Sequence, residues 1–128
     1  MSYSFSRHVA MSYENALTKV TEELQKEGFG VLTEIDVKET MKKKLDVDYN
    51  KYKILGACNP PLAHQALIAE PEIGLLLPCN VVVFEDDAGK TTVAAIDARA
   101  MMSVVGRDDI QPIAEEVNRK LKIVIENV

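Results

Sequence analysis

The run Asn80-Val-Val-Val-Phe-Glu85 constrains this chain more than any other feature. Read as a strand, its alternation sends Val81 and Val83 to one side and Val82 and Phe84 to the other. A strand that is apolar on both sides is central in its sheet, and the far face of that sheet needs cover. The turn string Asp86-Asp87-Ala88-Gly89 follows it. A hairpin is therefore expected, with strand 79–85 joined to strand 91–97 through a loop of about four or five residues.

The other segments fit around that hairpin. Tyr3, Phe5 and Val9 alternate with Ser4, Ser6 and His8, which predicts a half-buried strand over 3–9. Ser12 is placed to cap a helix whose apolar stripe is Tyr13, Ala16, Leu17, Val20 and Leu24, with Glu22 and Lys26 pairing on the wet side. Gly28 ends it. In the next strand Phe29, Val31, Ile35 and Val37 are expected to face in, and Gly30, Glu34 and Asp36 out. Asp36 and Glu39 have capping-box spacing ahead of a short helix with Val37, Met41 and Leu45 on one side and Lys42, Lys43 and Lys44 near its C-terminus. A third strand covers 51–58. Asn59-Pro60-Pro61 then starts a helix over 61–69, with Asn59 as cap, which Pro71 closes. The broken apolar string Ile73–Pro78 reads as an irregular buried segment, and 101–106 as a loop or short turn. Asp108 or Asp109 caps a last helix, with Pro112 in its first turn and Ile113, Val117, Leu121 and Val124 along its core stripe.

The order β-α-β-(short α)-β-α-β-β-α predicts an α+β fold, a mostly antiparallel sheet with helices on one face. A chain of 128 residues suits one domain, 1–128, with a single core. Trp is absent and aromatics are 5%, so that core is aliphatic. No helix remains for the far side of the sheet. The two-sided strand therefore predicts either a homodimer contact or a small-ligand cavity there.

Net charge narrows the partners. At -5 the chain lacks the basic surface that non-specific nucleic-acid binding needs. No run approaches the about 20 apolar residues of a membrane span, and the stretch from Met1 to His8 lacks the apolar core of a secretory signal. A cytoplasmic location is expected, with both cysteines as free thiols.

Several strings together resemble one family: Thr33-Glu-Ile-Asp36 before the lysine-rich helix, Tyr52-Lys-Ile-Leu-Gly-Ala-Cys-Asn-Pro60, Ala63-His-Gln-Ala-Leu67, Gly74-Leu-Leu-Leu-Pro-Cys-Asn-Val-Val-Val-Phe-Glu85, and Ala95-Ile-Asp97. On these the chain is similar to the bacterial and archaeal family called domain of unknown function 302. The resemblance spans nearly the whole chain. It implies an α+β fold related to the TATA-binding-protein-like class, with helices against a curved antiparallel sheet. The family has no established activity, so the resemblance carries no catalytic residue. Its pattern often has Pro after the aspartate placed here at Asp97, where this chain has Ala98.

Chemistry is expected where reactive side chains crowd at the ends of elements. Gly56-Ala-Cys58-Asn59-Pro-Pro61 and Leu77-Pro-Cys79-Asn80 hold the chain's 2 cysteines, with His64 between them. Antiparallel neighbouring strands would bring Cys58 and Cys79 to one end of the sheet, and the helix after Cys58 could favour its thiolate. The bland alternative is two buried apolar residues. Cys58, His64 and Cys79 offer zinc or copper ligands and Met101 and Met102 thioethers, but no close C-x-x-C pair is present, so no metal and no cofactor is expected. Ser4, Ser6, His8, Glu34 and Asp36 form a polar sheet face. His8 beside a carboxylate would be an acid–base pair, and a solvated face is the simpler account. Lys42–Lys44 with Lys51 and Lys53 read as a solvated helix end rather than an anion site. No phosphate loop, G-x-S-x-G or H-E-x-x-H occurs.

The leading reading is a small cytoplasmic α+β domain that pairs with itself through its sheet and binds a small molecule near Cys58, Asn59, His64, Cys79 and Asn80. A thiol-dependent enzyme or redox sensor using Cys58, and a ligand-free structural or interaction module, are the alternatives.

Overall fold

The computed structural model describes residues 2–128; Met1, the first residue of the N-terminal stretch discussed above, lies outside them. The elements run β1 (Ser4–Val9), α1 (Tyr13–Lys26), β2 (Gly30–Asp36), α2 (Val37–Leu45), β3 (Tyr52–Cys58), α3 (Pro60–Ala69), β4 (Cys79–Glu85), β5 (Thr91–Ile96), α4 (Ala98–Met102) and α5 (Gln111–Glu126). The fold is α+β. One five-stranded sheet has the order β1-β5-β4-β3-β2, and every neighbouring pair is antiparallel. β4 is the middle strand, as its two-sided apolar pattern requires.

Register sorts the side chains into two faces. Phe5, Ala95, Val81 and Leu55 stand side by side across β1, β5, β4 and β3. This row faces the helices. α1 lays Tyr13, Ala16, Val20 and Leu24 over it, and α5 adds Val117, Leu121 and Val124. Burying each of these larger aliphatics contributes about 1.5–3 kcal/mol. α3 packs on α5 at the Cys79 end, with Ala66 buried.

The ends of the helices follow from local chemistry. The Ser12 side chain accepts from the Asn15 amide, and Gly28 at φ +84 provides the left-handed exit from α1. The Asp36 carboxylate accepts from the Glu39 amide at 3.0 Å to start α2. In the hairpin loop, the Asp86 side chain accepts from the amides of Ala88 and Lys90.

Several expectations are corrected. A bulge between Val31 and Thr33 shifts the phase of β2. Phe29 and Val31 still meet the core, but Ile35 pairs with Ile54 on the opposite face, 48% exposed, and Val37 opens α2. Glu22 does not pair with Lys26; Glu23 does, at 2.8 Å, and also with Lys19. The string Ile73–Pro78 is not uniformly buried: residues 71–76 form a 3-10 turn with Ile73 inside and Leu75 85% exposed. The short turn expected within 101–106 is a 3-10 turn over Ser103–Val105, but an unexpected helix, α4, capped by Asp97, precedes it. Neither Asp108 nor Asp109 caps α5. Ile110 holds the cap position, and Asp109 bonds Arg107 instead.

Among the described residues, no helix is long and apolar enough to cross a membrane.

Candidate functional site

The two thiols are neighbours in the sheet. β3 ends at Cys58 and antiparallel β4 begins at Cys79, whose register partner is Ala57. Both cysteines are free. Alternation nevertheless places Cys79 with Ala57 on the core side, and Cys58, paired with Gly30, on the other. Burial, helped by the nearby Cys58, pushes the Cys79 thiol up to about 11, and burial also raises Cys58. Burial thus works against the thiolate at both sulfurs.

The residues around them are occupied structurally. Asn59 is buried. Its Oδ1 accepts from the Leu62 amide at 3.4 Å and its Nδ2 donates to the Glu27 carbonyl at 3.2 Å, tying the start of α3 to the end of α1. His64 is exposed on α3, and Asn80 is exposed at the start of β4. The cavity beside the sulfurs holds about 20 Å³ among Phe29, Cys58, Leu62, Cys79, Met102 and Val117. That is water-sized, and its walls are apolar. The space expected to take a small molecule is filled by side chains. Among the described residues, no three of His, Cys, Asp and Glu converge as a metal cage.

The lysine and histidine expectations resolve simply. Lys42 bonds Asp46 and Asp48, Lys43 approaches Glu39, and Lys51 bonds Glu14 at 2.8 Å. His8 Nδ1 sits 2.8 Å from Thr92 Oγ1, so its neighbour is a hydroxyl rather than a carboxylate.

A second, larger concavity than the one beside the sulfurs lies on the sheet face away from α1, α3 and α5. Ser6, Ala94, Val82 and Ile54 form one row across it, continued by Ile35, and His8, Thr92, Phe84 and Tyr52 form the next. Tyr52, Ile54, Val82, Phe84, Ala94 and Ile96 are only half-buried. The Tyr52 and Phe84 rings stack 5.1 Å apart at 9°, with Tyr49 6.4 Å from Tyr52. Tyr3, 72% exposed, stands at the rim. Three of the chain's 4 tyrosines are therefore gathered here. The hollow between Tyr3, Ser6, Tyr52, Asn80, Val82 and Phe84 measures about 380 Å³.

Charge distribution sets this face apart. Glu34 pairs with Leu55, Asp36 with Lys53, Lys53 with Val83, Arg7 with Val93 and Glu85 with Thr91. Every one of these charged strand residues lies on the helix side, toward its margins. The strand positions of the open face carry no Asp, Glu, Lys or Arg. The polar face expected from Ser4, Ser6, His8, Glu34 and Asp36 is thus split, with its carboxylates on the other side. A half-solvated sheet ordinarily puts its charges on the wet face; here that arrangement is reversed.

Residues 5–128 match the model of the family described as domain of unknown function DUF302, and the chain belongs to that family. It is also similar to the crystal structure of an uncharacterized conserved DUF302 protein from Bacillus stearothermophilus, at 24% sequence identity and a TM-score of 0.92, over 99% of this chain and 98% of that one. At that identity the likeness is one of fold. No curated protein matches the chain.

Proposed function

We propose that this DUF302 chain works as a self-pairing binding module: two copies meet through their open sheet faces and enclose the hollow between them. The observation that carries this reading is the absence of Asp, Glu, Lys and Arg from the strand positions of an exposed, largely apolar face with Tyr52 on it and Tyr3 at its rim. Interface centres are depleted of charged residues and enriched in aromatics. A chain of net charge -5 repels its own copy least where no carboxylate stands. Five strands at about 4.8 Å spacing and about 3.3 Å rise per residue give roughly 500 Å² in projection, before side-chain relief is added. A standard interface takes about 800 Å² per partner.

Around the cysteines, Asn59 serves this role as scaffold by tying the start of α3 to the end of α1. Light scattering on the full chain tests the pairing. Its expected mass is about twice 14.2 kDa at micromolar concentration. A mass of one chain across the whole accessible concentration range contradicts it.

A further inference from the structure

We infer that the hollow on the open sheet face is a binding site for a small, planar, uncharged molecule with one hydrogen-bonding edge. This rests on the pairing reading. A twofold axis through the middle of the sheet sets identical surfaces against each other. A hollow then faces a hollow, and two like concavities cannot fill one another. Voids larger than a water molecule are rare in well-packed protein, because their linings lose contacts. The pair therefore leaves a chamber that a third body completes.

The lining states its chemistry. About 380 Å³ per copy falls within the range of ligand pockets, roughly 300–1,000 Å³. The stacked Tyr52 and Phe84 rings, with Val82 and Ala94 beside them, give the hollow an aromatic and apolar lining suited to a ring system. A charged ligand would lose its hydration here with no opposite charge among the strand positions of this face. Polar anchors sit to one side. Among the described residues, the Ser6 hydroxyl and the Asn80 amide make no side-chain hydrogen bond, and Asn80 can both donate and accept. The Tyr52 phenol, raised further by burial and by the neighbouring phenols of Tyr49 and Tyr3, is a further donor.

The test is equilibrium dialysis of the full chain at neutral pH against 2-naphthol and, separately, 2-naphthalenesulfonate, with the mass measured on the same samples. The inference predicts saturable binding of 2-naphthol, sulfonate binding at least tenfold weaker, and at least tenfold loss of naphthol affinity in Ala94→Leu, which fills the floor of the hollow. Circular dichroism and thermal melting check that this variant folds; Phe84→Ala, which removes the stacked wall, is the second variant and should show the same loss. Absence of saturable binding by a paired protein overturns the inference and leaves pairing intact. Equal affinity for the sulfonate, or full affinity in both variants, also overturns it. A protein that stays single but binds naphthol with these sensitivities keeps the site and loses the pairing. A single chain that binds neither probe removes both.

Discussion

Asn118 shows how much one buried amide decides. It lies on α5, 9% exposed, with Oδ1 accepting from the Ala98 amide at 2.7 Å and Nδ2 donating to Asp97 Oδ1 at 2.8 Å. The residue after Asp97 is Ala98, and a proline there could not make the first of these bonds. Asn118→Ala leaves the buried Ala98 N–H without its partner, and should cost about 1–3 kcal/mol in denaturant unfolding. Burial alone would raise Asp97, but bonds from Asn118 and the amides of Ala100 and Arg99 prevail and hold its carboxyl below the ordinary range. That stabilisation is complete at neutral pH and is lost as pH falls below about 4. The gap between wild type and Asn118→Ala should therefore narrow in acid, and a gap independent of pH would contradict the assigned bond. The cysteines carry a second prediction at this scale. With both thiols raised by burial, Cys58 should label more slowly than a free thiol at neutral pH, and Cys79 only after unfolding. Fast labelling of both in the native state would revive the thiol-enzyme reading.

Among the elements, β2 and β3 show which parts of the fold the sequence made legible. β4, β5, α1 and the Asn59 cap could be read directly, because each carries a strong period or a cap residue next to it. The phase of β2 could not, since one bulged residue near Leu32 leaves no compositional mark yet moves Ile35 to the other face. α4 escaped because five residues are too short to display a period. The cap of α5 misled because Asp109 is taken by Arg107. The open face escaped for a related reason: the two cysteines stand out in one dimension, whereas strand positions free of Asp, Glu, Lys and Arg share a face only once register aligns five strands. Gly56 ties these strands together. A Cβ there would come within 2.2 Å of Thr33 Oγ1 and 2.8 Å of Pro78 Cγ, a contact across β2 and the start of β4. Thr33 can turn aside, but the Pro78 ring has less room, so Gly56→Ala should destabilise the fold by about 1–3 kcal/mol. An unchanged melting midpoint would show that both neighbours yield freely.

For the whole molecule, the one-sided layering of helices and the placement of charge on the helix side make a single picture. α1, α3 and α5 leave the far face of the sheet bare, and the strands answer with Val82, Ile54, Phe84 and Tyr52, with Tyr3 and Tyr49 at its edge, rather than with lysine and glutamate. Sedimentation velocity on wild type and Val82→Lys tests this most directly, because Val82 lies on the middle strand, half-buried on the open face. The account predicts that the wild type sediments as a pair and that the variant, with an unchanged thermal melt, sediments as one chain of 14.2 kDa. A folded Val82→Lys variant that still pairs as tightly as the wild type would contradict it.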